Sequence, residues 1–215
     1  GMQHSLLNLL GEKNYGGQTV PQKRIGRNLV DFPKEFVVLD IETTGLSPHR
    51  DEIIELSALL VKNDEIVEEF NRLVKPEGEI SAFITNLTGI TPEMVADAPD
   101  IATAIKEFDD FCAGKIVLGH NIAFDISFID YNLQKHHGLA FSNDFIDSLR
   151  LAKILLPQLQ NRKLGTLANF FGFNTEGMHR GLKDCKVTHL CYCKFKEIAA
   201  RKNGSVENFL KGFKK

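Results

Sequence analysis

The sequence predicts an α/β domain: a mixed five-stranded sheet whose first three strands run antiparallel, flanked by helices on both faces. Three observations carry this. Strand-like runs at Phe36–Ile41, Glu52–Lys62 and Glu65–Val74 follow one another with short breaks. After them, helical periods alternate with short apolar runs at Ile116–Leu118 and Phe145–Ile146. The chain has 215 residues, 43% hydrophobic and 25% charged, which suits one generous domain with a real core.

The elements follow in order. Residues 1–34 are polar, contain Gly16-Gly17 and Pro21, and show no sustained period. They read as a partly disordered N-terminal extension with one short helix at Ser5–Leu10. Phe36–Ile41 is apolar and rich in β-branched residues, as a buried central strand should be. Asn63-Asp64 is good hairpin chemistry between the next two strands, making the first three a meander. Thr91-Pro92 offers a helix N-cap with proline at the first helical position. Ile101, Ile105, Phe108 and Cys112 then recur at helical spacing through Ala113. Phe124–His137 carries Phe124, Phe128, Ile129 and Leu133 on one face and stops at Gly138. Helices follow at Ser148–Leu156, Leu164–Phe171 and Gly181–Lys202. The domain is expected over residues 35–202, with a basic tail over 203–215.

Composition narrows the function. A net charge of −2 excludes a protein that coats nucleic acid by backbone charge alone, since those are usually basic. It permits a nuclease whose divalent ions neutralise both its own acids and the bound phosphate. No run reaches the ~18 apolar residues of a membrane span, and Met2–Leu10 lacks the marks of a signal peptide. The expected location is the cytoplasm, with no membrane partner. Cys112, Cys185, Cys191 and Cys193 fit reduced thiols. A zinc cluster of Cys185, Cys191 and Cys193 with His179 and His189 is disfavoured. The stretch reads as helix, where residues two apart diverge, and no C-x-x-C pair is present.

Three segments carry chemistry. In Asp40-Ile41-Glu42, residues two apart on a strand end point to the same side, so both carboxylates converge at one rim of the sheet. One such triplet occurs by chance in most chains this long; its place at a strand end, before Thr43-Thr44-Gly45, gives it weight. Gly119 through Asp125 is a second strand end running into a helix, with Asp125 near the positive helix terminus. His179 through Asp184 is the third, with Asp184 in the first turn of a helix and His179 in the loop entering it. Each alone is ordinary capping or surface charge. Together, Asp40, Glu42, Asp125 and Asp184 make an all-oxygen ligand set suited to two hard divalent ions, magnesium or manganese. His179 can then serve as the base for an attacking water.

These segments resemble the three exonuclease motifs of the DEDD superfamily in its histidine-bearing, DnaQ-like branch. The sister branch has a tyrosine four residues before the last aspartate; Arg180 stands there, so the chain sides with histidine. Ile53–Leu56, Leu87–Thr91 and Asn161–Ala168 resemble the proofreading domain of Gram-positive replicative polymerases and the bacterial epsilon subunit. The resemblance implies a ribonuclease H-like fold and removal of nucleoside 5′-monophosphates from a DNA 3′ end, most plainly a single strand. It implies that Thr43, Thr44, Gly45 and Leu46, with His120, Asn121 and Phe124, contact the substrate, Leu46 wedging beneath a base. Gly181 and Cys185 stand where relatives often carry alanine or another small residue, a difference expected to matter little for activity.

Two rival functions share parts of this reading. An RNA 3′-end trimming nuclease would use the same motifs, and no residue marks a 2′-hydroxyl sensor. A non-catalytic replication module is opposed by the intact set of five site residues. Partners in reach are a replicative polymerase and a sliding clamp, the latter through Gln3–Leu7. The segment Lys194–Lys215 holds seven basic and two acidic residues with Phe195, Phe209 and Phe213 interleaved, and reads first as a helix end and tail.

Overall fold

A computed structural model describes residues 26–214. The expected Ser5–Leu10 helix and the clamp-like Gln3–Leu7 peptide lie outside the described residues. Six strands form one sheet: β1 (Asn28–Leu29), β2 (Glu35–Thr43), β3 (Ile53–Lys62), β4 (Glu65–Leu73), β5 (Val117–Gly119) and β6 (Phe145–Asp147). Their order is β1-β6-β5-β2-β3-β4. β2, β3 and β4 are the expected antiparallel meander, and Asn63 and Asp64 turn it with φ of 51° and 66°. β5 joins β2 in parallel, and β6 and β1 extend that parallel half.

The count of five strands is corrected to six. β1 is two residues long, too short for a period of two to show in the sequence. It is held by its ends: Arg27 donates to the Asp144 carboxylate from its backbone N–H at 2.8 Å and its guanidinium at 3.0 Å. The strand lies within the stretch expected to be extension.

The helices are α1 (Ala82–Thr88), α2 (Pro92–Val95), α3 (Ile101–Cys112), α4 (Ile122–His137), α5 (Ser148–Leu155), α6 (Leu164–Phe171), α7 (Gly181–Asn203) and α8 (Val206–Lys211). Side-chain caps at Ser81, Thr91, Asp100, Asp147 and Ser205 start five of them. α1 was not anticipated, and α2 is a single turn. α8 falls in the segment expected as a tail, yet Phe209 is buried against Phe32, 6.2 Å away, and packs the helix onto the domain.

The strand period sorts the core into two layers. Val37, Leu39 and Ile41 of β2 join Phe108 of α3 and Phe128 of α4 on one face. Phe36 and Val38 join Leu151, Tyr192 and Phe195 of α5 and α7 on the other. Asp40 and Glu42 continue the second row, so they face α7. Leu59 and Val61 of β3 share that layer, and Glu55 and Ser57 stand in line with them. A smaller cluster of Ile54, Ile80, Ile84, Ile90 and Val95 seats α1 and α2. Cys112, Cys185 and Cys191 are buried free thiols and Cys193 is half-buried. No helix among the described residues is long and apolar enough to cross a membrane.

Candidate active site

The site forms where the β2 end meets the starts of α4 and α7. Asp40 and Glu42 lie on consecutive same-face positions of β2, opposite Ser57 and Glu55 of β3. Asp184 sits in the first turn of α7. Carboxylate oxygens of Asp40, Glu42 and Asp184 lie within 4.8 Å of one another. Asp125, in the first turn of α4, accepts a 3.2 Å hydrogen bond from the Ile41 backbone N–H, which places it directly beside Asp40. All four acids are at least 97% buried.

Burial of like charges sets the electrostatics. Desolvation raises the pKa of Asp40 and lifts Glu42 and Asp125 well above the usual carboxylate range. Asp40 adds to the rise at both neighbours, and Glu55 adds to it at Glu42. Such a group of buried oxygens is costly as bare anions and suited to a hard divalent cation. The donor set therefore fits magnesium or manganese.

His179 occupies the left-handed region at φ 75°, and its N–H donates to Asp184 Oδ1 at 3.0 Å. This ties the entering loop to the acid. The ring is half-buried; desolvation lowers its pKa, while Asp40 acts in the opposite direction. The lowered value favours the neutral, proton-accepting ring.

Glu55 is a residue that sequence reasoning placed only in a supporting stretch. It is buried near the start of β3, where its Oε1 accepts from the Gly181 N–H at 3.0 Å. Its Oε2 accepts from Arg180 Nη2 at 2.9 Å. Glu55 thus fastens the first residues of α7, and through them the His179–Asp184 loop. A carboxylate inside an otherwise apolar strand was the available signal. Gly181 also proves constrained: a Cβ there would meet Ser57 Oγ at 2.1 Å. An alanine at 181 would therefore have to displace Ser57 or shift the start of α7.

The substrate-contact residues divide. Thr44, Gly45 and Leu46 form the half-buried loop after β2. Thr44 Oγ1 accepts from the Glu52 N–H at 2.9 Å, and a Cβ on Gly45 would sit 2.3 Å from the Asp51 carboxyl carbon. Leu46 packs beside two of the core clusters. Thr43 is fully buried and donates to the Gly45 carbonyl at 2.6 Å, so it shapes the turn. His120, Asn121 and Phe124, the other residues expected at the substrate, each make contacts within the scaffold. His120 is buried, its Nδ1 2.8 Å from Ser148 Oγ and its Nε2 2.8 Å from the Arg162 carbonyl. Asn121 takes the left-handed turn (φ 60°) that starts α4 and donates its N–H to Asp147 Oδ1 at 2.8 Å. Phe124 is buried against Phe128, ring centroids 5.1 Å apart. These residues sit next to the motif acid in sequence and help to seat the start of α4.

Comparison with known proteins agrees with this geometry. A family model described as exonuclease matches residues 37–192. The PolC-type DNA polymerase III of Caldanaerobacter subterraneus subsp. tengcongensis is 44% identical over 172 residues, 80% of this chain and 12% of that protein. The PolC-type DNA polymerase III of Bacillus subtilis is 38% identical over 168 residues, 78% of this chain and 12% of that protein. The chain thus spans about an eighth of the length of these relatives. Among solved structures, exonuclease X in complex with 5′ overhanging duplex DNA superimposes with a TM-score of 0.62 at 24% identity, covering 81% of this chain and 96% of that one. E. coli exonuclease I with a dT13 oligonucleotide gives 0.67 at 18% identity, covering 79% and 42%; these two likenesses speak for the fold. A ribonuclease H-like sheet with buried acids at its rim defines a nuclease. The chain belongs to the exonuclease family.

Proposed function

We propose that this chain hydrolyses DNA stepwise from the 3′ end, releasing nucleoside 5′-monophosphates, as the proofreading or repair activity of a replicative polymerase. The observation that carries the reading is the convergence of buried Asp40, Glu42 and Asp184, with Asp125 beside them. Two divalent ions, magnesium or manganese, held by these four carboxylates would supply the charge that activates water and stabilises the departing 3′ oxygen. Asp40, Glu42 and Asp184 would hold one ion, and Asp125 would help to hold the second. An imidazole nitrogen of His179 accepts the proton of the attacking water. A new phosphorus–oxygen bond forms as the bond to the 3′ oxygen breaks, leaving a shortened strand with a free 3′-hydroxyl. Thr44 and Leu46, on the loop beside the acids, face the terminal nucleotide. The likeness to DNA polymerases and to nucleases bound to DNA favours DNA over RNA and a polymerase as the partner.

A 5′-labelled single-stranded DNA and its RNA counterpart, each with magnesium, manganese or EDTA, test the proposal. The expected result is a metal-dependent ladder shortening from the 3′ end of DNA, reduced by about a hundredfold or more in Asp40→Asn. Preference for RNA would keep the chemistry and replace the substrate. Inactivity of a folded protein on both strands would overturn the reading.

A further inference from the structure

A second cluster of ligating side chains lies further along α7, away from the acidic site. His189 and Cys193 are four residues apart on that helix, so they stack on one face one turn apart. The Asp64 carboxylate reaches them from the β3–β4 turn. One ligand atom from each of the three lies within 4.8 Å of the other two. Cys193 is nine residues beyond Asp184, ~13 Å along the helix axis at ~1.5 Å per residue. The two clusters are therefore separate.

The distances and donor types point to a metal. Cys193 Sγ lies 3.5 Å from His189 Nε2. With zinc–sulfur and zinc–nitrogen bonds of about 2.3 and 2.0 Å, two ligands of a tetrahedral ion stand ~3.5 Å apart. A thiol–imidazole hydrogen bond has a similar length, so this distance alone does not decide. The third donor adds to it: Asp64 brings an oxygen to the thiol and the imidazole, the number of protein donors that a zinc site with one open position uses. Asp64 is exposed on the β3–β4 turn, which leaves room for its side chain to close on an ion and a path for the ion to enter. His189 is buried, its ring 6.0 Å from that of Phe36. Sulfur and imidazole donors select zinc over magnesium, opposite to the all-oxygen site at Asp40.

We propose that Asp64, His189 and Cys193 form a zinc site, with water in the fourth position. As the zinc–sulfur bond forms, the Cys193 S–H bond breaks and its proton passes to solvent. His189 binds through the Nε2 lone pair with its proton on Nδ1, and Asp64 gives one carboxylate oxygen. The ligand set differs from the cysteine cluster that spacing disfavours, because its third member comes from a hairpin more than a hundred residues away. The bound ion would link the β3–β4 hairpin to α7, joining the strand that holds Glu55 to the helix that holds Asp184.

Cobalt substitution in the full chain tests this, because only a thiolate ligand gives sulfur-to-cobalt charge-transfer absorption. One equivalent of cobalt should produce that band in the wild type and in Asp40→Asn, and zinc should displace it. Cys193→Ser should lack the band, and Asp64→Ala, an exposed change that leaves the core intact, should weaken zinc binding about tenfold or more. Circular dichroism checks that each variant is folded. A band that survives in Cys193→Ser would assign the thiol elsewhere and overturn the proposal. A wild type with no band would overturn it too, leaving the Cys193–His189 contact as a hydrogen bond. Unchanged zinc affinity in Asp64→Ala would remove the third ligand and with it the site.

Discussion

Gly181 shows how one hydrogen in place of a methyl group can decide the position of a catalytic loop. A Cβ there would stand 2.1 Å from Ser57 Oγ and 2.7 Å from its Cβ. Ser57 is fully buried and bonded by Asn71 Nδ2 at 2.9 Å, so it has little freedom to yield. Gly181→Ala should therefore cost roughly 1–3 kcal/mol of stability and lower cleavage by shifting the start of α7. Adding Ser57→Gly should recover part of both. Urea unfolding and initial rates decide: a single variant as stable as wild type, or a double variant no better than the single, would defeat the fitted-pair argument. Glu55 acts on the same loop from the other side. Glu55→Gln replaces one acceptor oxygen by an amide donor facing Gly181, Arg180 or Asn71. The expected result is a kcat lower by about tenfold to a hundredfold with DNA affinity retained. Loss of affinity with kcat unchanged would place Glu55 in strand binding instead.

Elements were legible where they are long and periodic, and the reasons for the exceptions are physical. The β2–β4 meander and α3 through α7 carry their patterns over two turns or more. α1 has seven residues, of which Ile84 and Thr88 are buried while Phe83 stands exposed, so its period barely repeats. That residues 40 and 184 meet was legible from the strand end, the helix start and the resemblance of the three motifs, not from the hydrophobic pattern. The scaffold contacts of His120 and Phe124 were not legible, because proximity to a motif does not say which way a side chain points. The β6–α5 junction that holds this region makes its own prediction. Asp147 Oδ1 accepts from the N–H groups of Asn121 at 2.8 Å and Leu149 at 3.0 Å, joining the starts of α4 and α5. Burial raises its pKa to about 6 against these donors. The folded state then holds more protons than the unfolded one between about pH 4 and 6, so this group's contribution to stability falls as pH rises through that window. Asp147→Asn keeps an acceptor oxygen for both bonds and removes the titration. Its stability relative to wild type should rise between pH 4 and 7 by on the order of 1–2 kcal/mol. Equal gaps at the two pH values in EDTA would refute the assignment.

At the scale of the whole molecule, two opposed chemistries are built onto one sheet: a core that requires dryness and a rim that concentrates carboxylates inside it. Asp40, Glu42 and Asp125 all have pKa values raised first by burial. By the same sign rule, the metal-free protein should lose stability as pH rises upward from the ordinary carboxylate range near about 4. Magnesium bound by these acids should reverse the loss, because an ion that binds only the folded state stabilises it by mass action. At a concentration a hundredfold above Kd the gain is about 2.7 kcal/mol, roughly 5–10 °C in Tm for a chain of this size. The shift should be larger at pH 8 than at pH 5, where protons compete for the same oxygens. It should shrink in Asp40→Asn, which removes a ligand charge, and persist in Cys193→Ser, because a thiol and an imidazole do not hold magnesium. Thermal unfolding with magnesium or EDTA at both pH values reads all of this in one experiment. An equal shift in Asp40→Asn would locate the ion away from the acidic rim. No shift in the wild type would mean that the buried acids are held by other means and that the metal joins only with the DNA strand.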